Sequence, residues 1–135
     1  HVNNFDKLTG KLPEVDNAVS ALVADLESEG LLDSTLIAIA TEFGRTPKIN
    51  TNTGRDHHPA AYSSVLIGGG IKGGVVYGET DDKGQKVKKN KVTPQDFNAT
   101  IGSALGLPIE KEFFSPTGRP FHITGKGTPI KDILT

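Results

Sequence analysis

The 135-residue sequence contains no cysteine, no methionine and no tryptophan. Without cysteine the chain can form no disulfide and offers no thiolate to a metal, so any metal site must use nitrogen and oxygen ligands. Because no methionine is present to initiate the chain, we expect a processed product or a fragment. A missing N-terminal segment of the same protein would then hold part of any active site.

Long apolar runs and an excess of one charge are also absent. The 15 basic residues are balanced by 16 acidic ones, and only 6% of the residues are aromatic. Nucleic-acid binding needs a basic face and usually stacking aromatic rings, so we expect no nucleic-acid partner. No apolar stretch approaches the roughly 20 residues of a membrane helix, and we expect no membrane span. The length predicts one domain.

Two short apolar segments, 35–40 and 63–67, indicate buried strands. A helix is predicted before them, from Pro13 at its first position to residue 29, because apolar side chains recur there at helical spacing. These side chains are Val15, Val19, Leu22 and Leu26. A helix, a short connection and a fully apolar strand are typical of a βαβ unit. The pattern therefore predicts an α/β fold with a mostly parallel sheet flanked by helices.

The second half predicts a small hairpin with arms at 75–77 and 85–87, followed by a helix. Thr93 is the expected N-cap of that helix and Pro94 its first residue, while Gly106 marks its end. The chain after residue 108 is predicted to be irregular. The glycine run 68–74 matches G-x-G-x-x-G, but a strand-like segment follows it instead of a helix. This favours a glycine turn over a nucleotide-binding module.

A polar loop joins the two predicted strands and contains most of the candidate site residues. Glu42 lies two residues beyond the first strand, and the pair His57 and His58 precedes the second. Ligands collect at the carboxyl ends of strands in parallel sheets, and a carboxylate with an imidazole suits Zn or Mn. Arg45 suits the oxygens of a phosphate or sulfate group.

A purely structural role for the same loop is the alternative. In that interpretation Glu42 pairs with Arg45 or Arg55. Asp56 and the two histidines would then brace the loop by hydrogen bonds.

Four segments together resemble the DUF1501 family. Residues 1–5, His-Val-Asn-Asn-Phe, resemble the end of its Asp-Thr-His-x-x-Asn-Phe motif, and residues 42–47 resemble its Glu-Phe-Gly-Arg-Thr-Pro signature. Residues 54–58 resemble its Gly-Arg-Asp-His-His block, and the glycine run 68–74 is similar to its glycine-rich turn. The chain is identified as the C-terminal part of a member of this family, a single partial domain over residues 1–135.

The resemblance implies a branch of the alkaline phosphatase and sulfatase superfamily, with divalent metals at the carboxyl ends of the strands. Glu42 would take the place of a ligating Asp, and Phe43 that of a ligating His. Either His57 or His58 would be a later ligand. His1 would belong to an earlier Asp…His pair whose Asp, like the nucleophile, lies outside this chain.

The function implied is a metal-dependent hydrolase of small phosphate or sulfate esters. The metal could be Zn, Mn, Ca or Mg. Arg45 would hold the anionic group, and Asp56 would orient a ligating histidine. The alternative, favoured by Phe43 and by the absent nucleophile, is a non-catalytic binding or structural protein that retains the fold. The resemblance also implies the bacterial periplasm or cell surface, and exposed sheet edges would favour a homo-oligomer.

Overall fold

A computed structural model describes all 135 residues and contains two helices and eight short strands. The helices are α1 (Asn4–Ser28) and α2 (Pro94–Ala104). The strands are β1 (Leu36–Ile39), β2 (Gly44–Arg45), β3 (His57–His58), β4 (Val65–Gly68), β5 (Glu79–Thr80), β6 (Val87–Lys89), β7 (Phe113–Phe114) and β8 (Pro120–Phe121). Single 3₁₀ turns lie at Leu32–Ser34 and Lys131–Ile133. None of the helices is long and apolar enough to cross a membrane.

The strands form four separate two-stranded antiparallel sheets, which pair β1 with β4, β2 with β3, β5 with β6 and β7 with β8. The predicted mostly parallel, alkaline-phosphatase-like sheet is therefore wrong. Leu36 lies opposite Gly68 and Ile39 opposite Val65, so the polar loop returns the chain antiparallel to β1. Unbroken apolar runs predicted strands buried on both faces, yet Ile39 is 37% exposed and Val65 48% exposed. The positions of the two strands are confirmed, but their direction and burial are not.

Helix α1 begins nine residues earlier than the sequence predicts. Asn3, its N-cap residue, adopts a left-handed conformation with φ 46° and makes no side-chain cap. Instead, the backbone N–H groups of Asn3 and Asn4 donate to the carbonyls of Asn52 and Thr53 at 3.0 and 3.1 Å. The polar loop thus supplies acceptors for two N–H groups at the start of the helix that have no partner within it. Pro13 lies inside the helix and not at its start.

Helix α2 begins where the sequence predicts. Thr93 Oγ1 accepts from the Asp96 backbone N–H, and the Asp96 carboxylate accepts from the Thr93 backbone N–H, which completes a capping box. Hydrogen bonds from the Thr93 side chain, from the Thr128 backbone and from the Thr93 backbone lower the pKa of Asp96. Local capping chemistry therefore fixes the start of this helix, and the Thr128 backbone N–H adds a distant contact to Asp96.

The small core lies beside α2. Ala99, Thr100 and Gly102 are its buried helical residues. Thr100 Oγ1 donates to the Asp96 carbonyl at 2.7 Å and accepts from the Ile130 backbone N–H at 3.0 Å. By contrast, α1 contains no buried residue. The apolar side chains of α1 therefore remain at least partly exposed.

Two predictions for the remaining chain need correction. The hairpin arms at 75–77 and 85–87 are displaced, because Glu79 pairs with Lys89 and Thr80 with Val87. Asp81 Oδ1 accepts backbone N–H groups within the turn and so sets its position. The segment after residue 108, predicted to be irregular, contains the β7–β8 pair.

Candidate functional site

The polar loop folds back on itself through β2 and β3, which place Arg45 directly opposite His57 and Gly44 opposite His58. Successive side chains of a strand point to opposite faces, so His57 and His58 diverge. Arg45 and His57 share one face. A Cβ at Gly44 would lie 2.8 Å from Tyr62 Cβ, which shows how closely the chain packs there.

Three side chains from two distant parts of the sequence, the first residue and the polar loop, meet on the face of His57. His1 Nδ1 lies 2.9 Å from Asp56 Oδ1, and His1 Nε2 lies 3.1 Å from His57 Nε2. The carboxylate fixes one imidazole nitrogen of His1, which leaves the other to face His57. Asp56, His1 and His57 therefore form a continuous chain of polar contacts.

Two further side chains border this cluster. Arg45 Nη1 lies 3.4 Å from His1 Nε2 and donates to the Arg55 carbonyl at 3.3 Å. The ring of Phe43 packs against the His57 imidazole with 4.0 Å between centroids. Phe43 cannot ligate a metal, but its ring packs against the imidazole of His57, which can.

Asn50 is the residue that holds His1 in this position. Its Nδ2 donates to the His1 carbonyl at 3.1 Å and to Asp56 Oδ1 at 3.0 Å. Its Oδ1 accepts from the backbone N–H groups of Asn52 and Gly54, both at 3.0 Å. Gly54 is buried, and a Cβ there would overlap the His1 carbonyl. Sequence reasoning missed both Asn50 and Gly54, although an Asn-Thr-Asn-Thr-Gly stretch is a turn signal.

Glu42 and His58 do not join the cluster. Glu42 is exposed and forms neither a hydrogen bond nor an ion pair, so the alternative pairing with Arg45 or Arg55 is absent too. His58 Nε2 lies 3.0 Å from the Gln85 carbonyl and ties β3 to the β5–β6 turn. No group of three or more His, Asp or Glu side chains is arranged to hold a metal ion.

Part of the loop-bracing interpretation does describe the structure, because Asp56 contacts His1 and Asn50, and His58 contacts the Gln85 carbonyl. Arg55 braces the loop in a way that the interpretation did not include. Arg55 Nη1 donates to the carbonyls of Thr46 and Pro47 at 2.7 and 2.6 Å, and its guanidinium lies over the Phe5 ring. Arg55 therefore braces the loop through its backbone carbonyls and does not contact His1 or His57.

The site is open to solvent. The side chains of His1 and Asp56 are 52% and 55% exposed, so their polar contact contributes about 0–1 kcal/mol of stability. The side-chain amide of Asn50 and the close packing of Gly54 against the His1 carbonyl, and not this polar contact, define the position of His1.

Two chemical roles fit the facing imidazoles. A direct N–H···N hydrogen bond accounts for a separation of 3.1 Å between the two Nε2 atoms. A shared metal needs a similar spacing, because two nitrogens at 2.0–2.1 Å from a tetrahedral zinc lie about 3.3 Å apart. The two Nε2 atoms are therefore nearly as far apart as two nitrogen ligands of one zinc ion, and a small side-chain adjustment would make up the difference.

The sequence model of the family described as "Protein of unknown function (DUF1501)" matches residues 1–134. No curated protein and no solved structure matches the chain. The four motifs that carry the family resemblance include His1, Arg45, Asp56 and His57, the residues gathered at the site. The chain belongs to the DUF1501 family.

Proposed function

We propose that His1 and His57 bind a divalent metal ion and that the site hydrolyses small phosphate or sulfate esters. The observation that carries this proposal is the 3.1 Å approach of the two Nε2 atoms while Asp56 holds the opposite nitrogen of His1. A ligating histidine commonly donates its second ring N–H to a carboxylate, which fixes the tautomer and the ring orientation.

The donor set favours some metals over others. Two imidazole nitrogens suit Zn better than Ca or Mg, which prefer oxygen ligands. When bound, such an ion polarises an ester oxygen and lowers the pKa of a coordinated water. Catalytic zinc usually takes three protein ligands. Glu42, or a residue of a preceding segment of the same protein, is the proposed third.

Arg45 has the proposed role of holding the anionic ester group. It is exposed, lies on the face of His57, and approaches His1 Nε2 to 3.4 Å. Its planar guanidinium can bind two oxygens of a phosphate or sulfate group at once. A substrate bound there would sit beside the imidazole pair.

Kinship with alkaline phosphatases and sulfatases, and a periplasmic or cell-surface location, belong to the same proposal. Their support is the motif resemblance. We extend from those enzymes to this chain only the chemistry of metal-assisted ester hydrolysis, and not the parallel sheet.

A non-catalytic binding or structural role is the second candidate. The exposed position of Glu42 favours it, as does the direct hydrogen bond that the two imidazoles can form without a metal. In that case the cluster anchors the first residues of the chain to the polar loop.

Zinc calorimetry separates the two candidates, with His57→Ala as the test variant and His58→Ala as the matched control. The proposal expects near-stoichiometric zinc binding in the wild type and in His58→Ala, and a loss of at least tenfold in affinity in His57→Ala. Hydrolysis of p-nitrophenyl phosphate or p-nitrophenyl sulfate should follow the same order and should fall in Arg45→Ala. Equal affinity in the two histidine variants would reject the metal site. Zinc binding without ester hydrolysis would leave a binding protein.

A further inference from the structure

The His57 imidazole lacks the hydrogen bond that orients the ring of His1. Asp56 holds Nδ1 of His1, whereas Nδ1 of His57 has no hydrogen-bond partner in the chain. A histidine that ligates a metal usually has its second ring nitrogen held by a carboxylate, a carbonyl or a water molecule. His57 is also exposed, and rotation of an imidazole about its Cβ–Cγ bond is intrinsically broad. A contact of another kind is therefore needed to keep its Nε2 directed at His1.

Two aromatic rings pack against the His57 imidazole. The Phe43 ring lies 4.0 Å away between centroids at an interplanar angle of 34°, and the His1 ring lies 4.6 Å away at 44°. Aromatic pairs usually have their centroids about 4.5–7 Å apart, so the contact with Phe43 is a close one. A ring at that distance restricts the plane of the imidazole, and the hydrogen bond to His1 then selects Nε2 within that plane.

Phe43 is itself held in place. It is half-buried, and its carbonyl accepts from Thr41 Oγ1 at 3.0 Å. The next residue, Gly44, pairs with His58 in the β2–β3 ladder and packs closely against Tyr62. A ring on such a backbone can orient a neighbour, since the side chains that position a site must themselves be fixed.

We propose that Phe43 is a positioning residue, whose ring sets the plane of the His57 imidazole so that Nε2 points at His1. In this role Phe43 ligates no metal and acts only through His57. Its contribution to metal binding rests on the proposed function, whereas its effect on the imidazole does not. An aromatic side chain at this position is then required, and an aliphatic one is not sufficient.

Phe43→Leu tests the proposal, with Phe43→Tyr as the conservative variant. Leucine keeps an apolar side chain but removes the flat ring, whereas tyrosine keeps the ring. Phe5→Leu is the matched control, because the Phe5 ring also lies beside the polar loop, 5.5 Å from the Arg55 guanidinium carbon, but is not paired with His57.

Zinc calorimetry gives the first measurement. An aromatic pair contributes about threefold to tenfold to an equilibrium constant beyond its buried area. We therefore expect Phe43→Leu to bind zinc about threefold to tenfold more weakly than the wild type. Phe43→Tyr and Phe5→Leu should stay within about twofold of the wild type.

Proton NMR of the metal-free chain gives the second measurement, which does not depend on the metal site. The nuclear Overhauser effect between the carbon-bound ring protons of His1 and His57 reports how the two imidazoles face each other. It should fall about threefold or more in Phe43→Leu and persist in Phe43→Tyr and Phe5→Leu. Exchange of the Asn3 amide, which donates to the Asn52 carbonyl, should stay within about twofold in Phe43→Leu, because the loop remains closed.

An unchanged ring contact in Phe43→Leu would overturn the proposal, as would equal losses in Phe43→Leu and Phe5→Leu. Much faster exchange at Asn3 in Phe43→Leu would also overturn it, since Phe43 would then hold the loop and not the imidazole. An unchanged zinc affinity in Phe43→Leu, beside a wild type that binds zinc, would refute the contribution to metal binding. If the wild type binds no zinc, the metal site is rejected, and the ring contact alone decides the role of Phe43.

Discussion

Replacing Asn50 by alanine should release the first residues of the chain from the polar loop. The side-chain amide makes four hydrogen bonds, which connect the His1 carbonyl, Asp56 and the backbone of residues 52 and 54. Alanine removes all four at once. The position of His1 depends on them because its own contact with Asp56 is exposed and weak.

The stability lost in Asn50→Ala depends on how exposed these hydrogen bonds are to solvent. Each net intramolecular hydrogen bond contributes about 0.5–1.5 kcal/mol, and the low end applies here because most of them are solvent-exposed. The bond from the buried Gly54 is the exception, since its N–H would lose its acceptor. We therefore expect Asn50→Ala to destabilise the closed loop by about 2 kcal/mol, which corresponds to about 30-fold in the opening equilibrium.

Amide hydrogen exchange measures this opening directly. The N–H groups of Asn3 and Asn4 donate to the carbonyls of residues 52 and 53, so their exchange reports the contact between the chain start and the loop. Both should exchange about 30-fold faster in Asn50→Ala, whereas α2 amides should be unchanged.

Asn52→Ala is the matched control, because the Asn52 side chain makes no hydrogen bond although its backbone participates. It should alter exchange by less than twofold. If Asn50→Ala and Asn52→Ala behaved alike, the assignment of Asn50 as the residue that positions His1 would be refuted.

Two further predictions concern single positions. Gly54→Ala should lower the free energy of unfolding by about 1–3 kcal/mol through overpacking, because the new Cβ would overlap the His1 carbonyl. Urea unfolding measures the loss of stability, and amide exchange at Asn3 measures the release of the first residues. Wild-type values in both would contradict the close packing. The pKa of Asp96 is lowered in the folded chain, so its contribution to stability is present above its unfolded pKa and is lost as the pH falls through the folded value. Asp96→Asn should therefore lower the unfolding midpoint at pH 7 and make it less dependent on pH below about 4, and an unchanged acid dependence in the variant would contradict the assignment.

The parts of the fold that sequence predicts well are those fixed by local chemistry. The N-terminus of α2 is determined by Thr93, Pro94 and Asp96, which lie within four residues of one another. The places of β1 and β4 follow from their apolar composition. Their antiparallel direction does not, because an unbroken apolar run carries no information about its partner. The start of α1 was mispredicted for a related reason, since its first N–H groups bond to a loop about 50 residues away.

In the candidate site, too, some residues can be predicted from the sequence and others cannot. The family motifs drew attention to His1, Arg45, Asp56 and His57, and the structure brings these four together. Sequence alone could not choose between His57 and His58, because the β2–β3 register decides which one faces His1. The role of Asn50 could not be predicted, because an asparagine in a polar loop resembles any solvated turn residue. Its importance becomes visible only when both of its amide atoms are followed to their partners.

The proposed metal-binding pair is His1 and His57, without His58. Nitrogen NMR of the imidazole rings during addition of Zn²⁺ to the wild-type chain tests it most directly, since each ring nitrogen has its own resonance. We expect the Nε2 resonances of His1 and His57 to shift together and to saturate near one equivalent, while those of His58 stay unchanged. Unchanged resonances of His1 and His57, or a zinc-induced shift confined to His58, would contradict it.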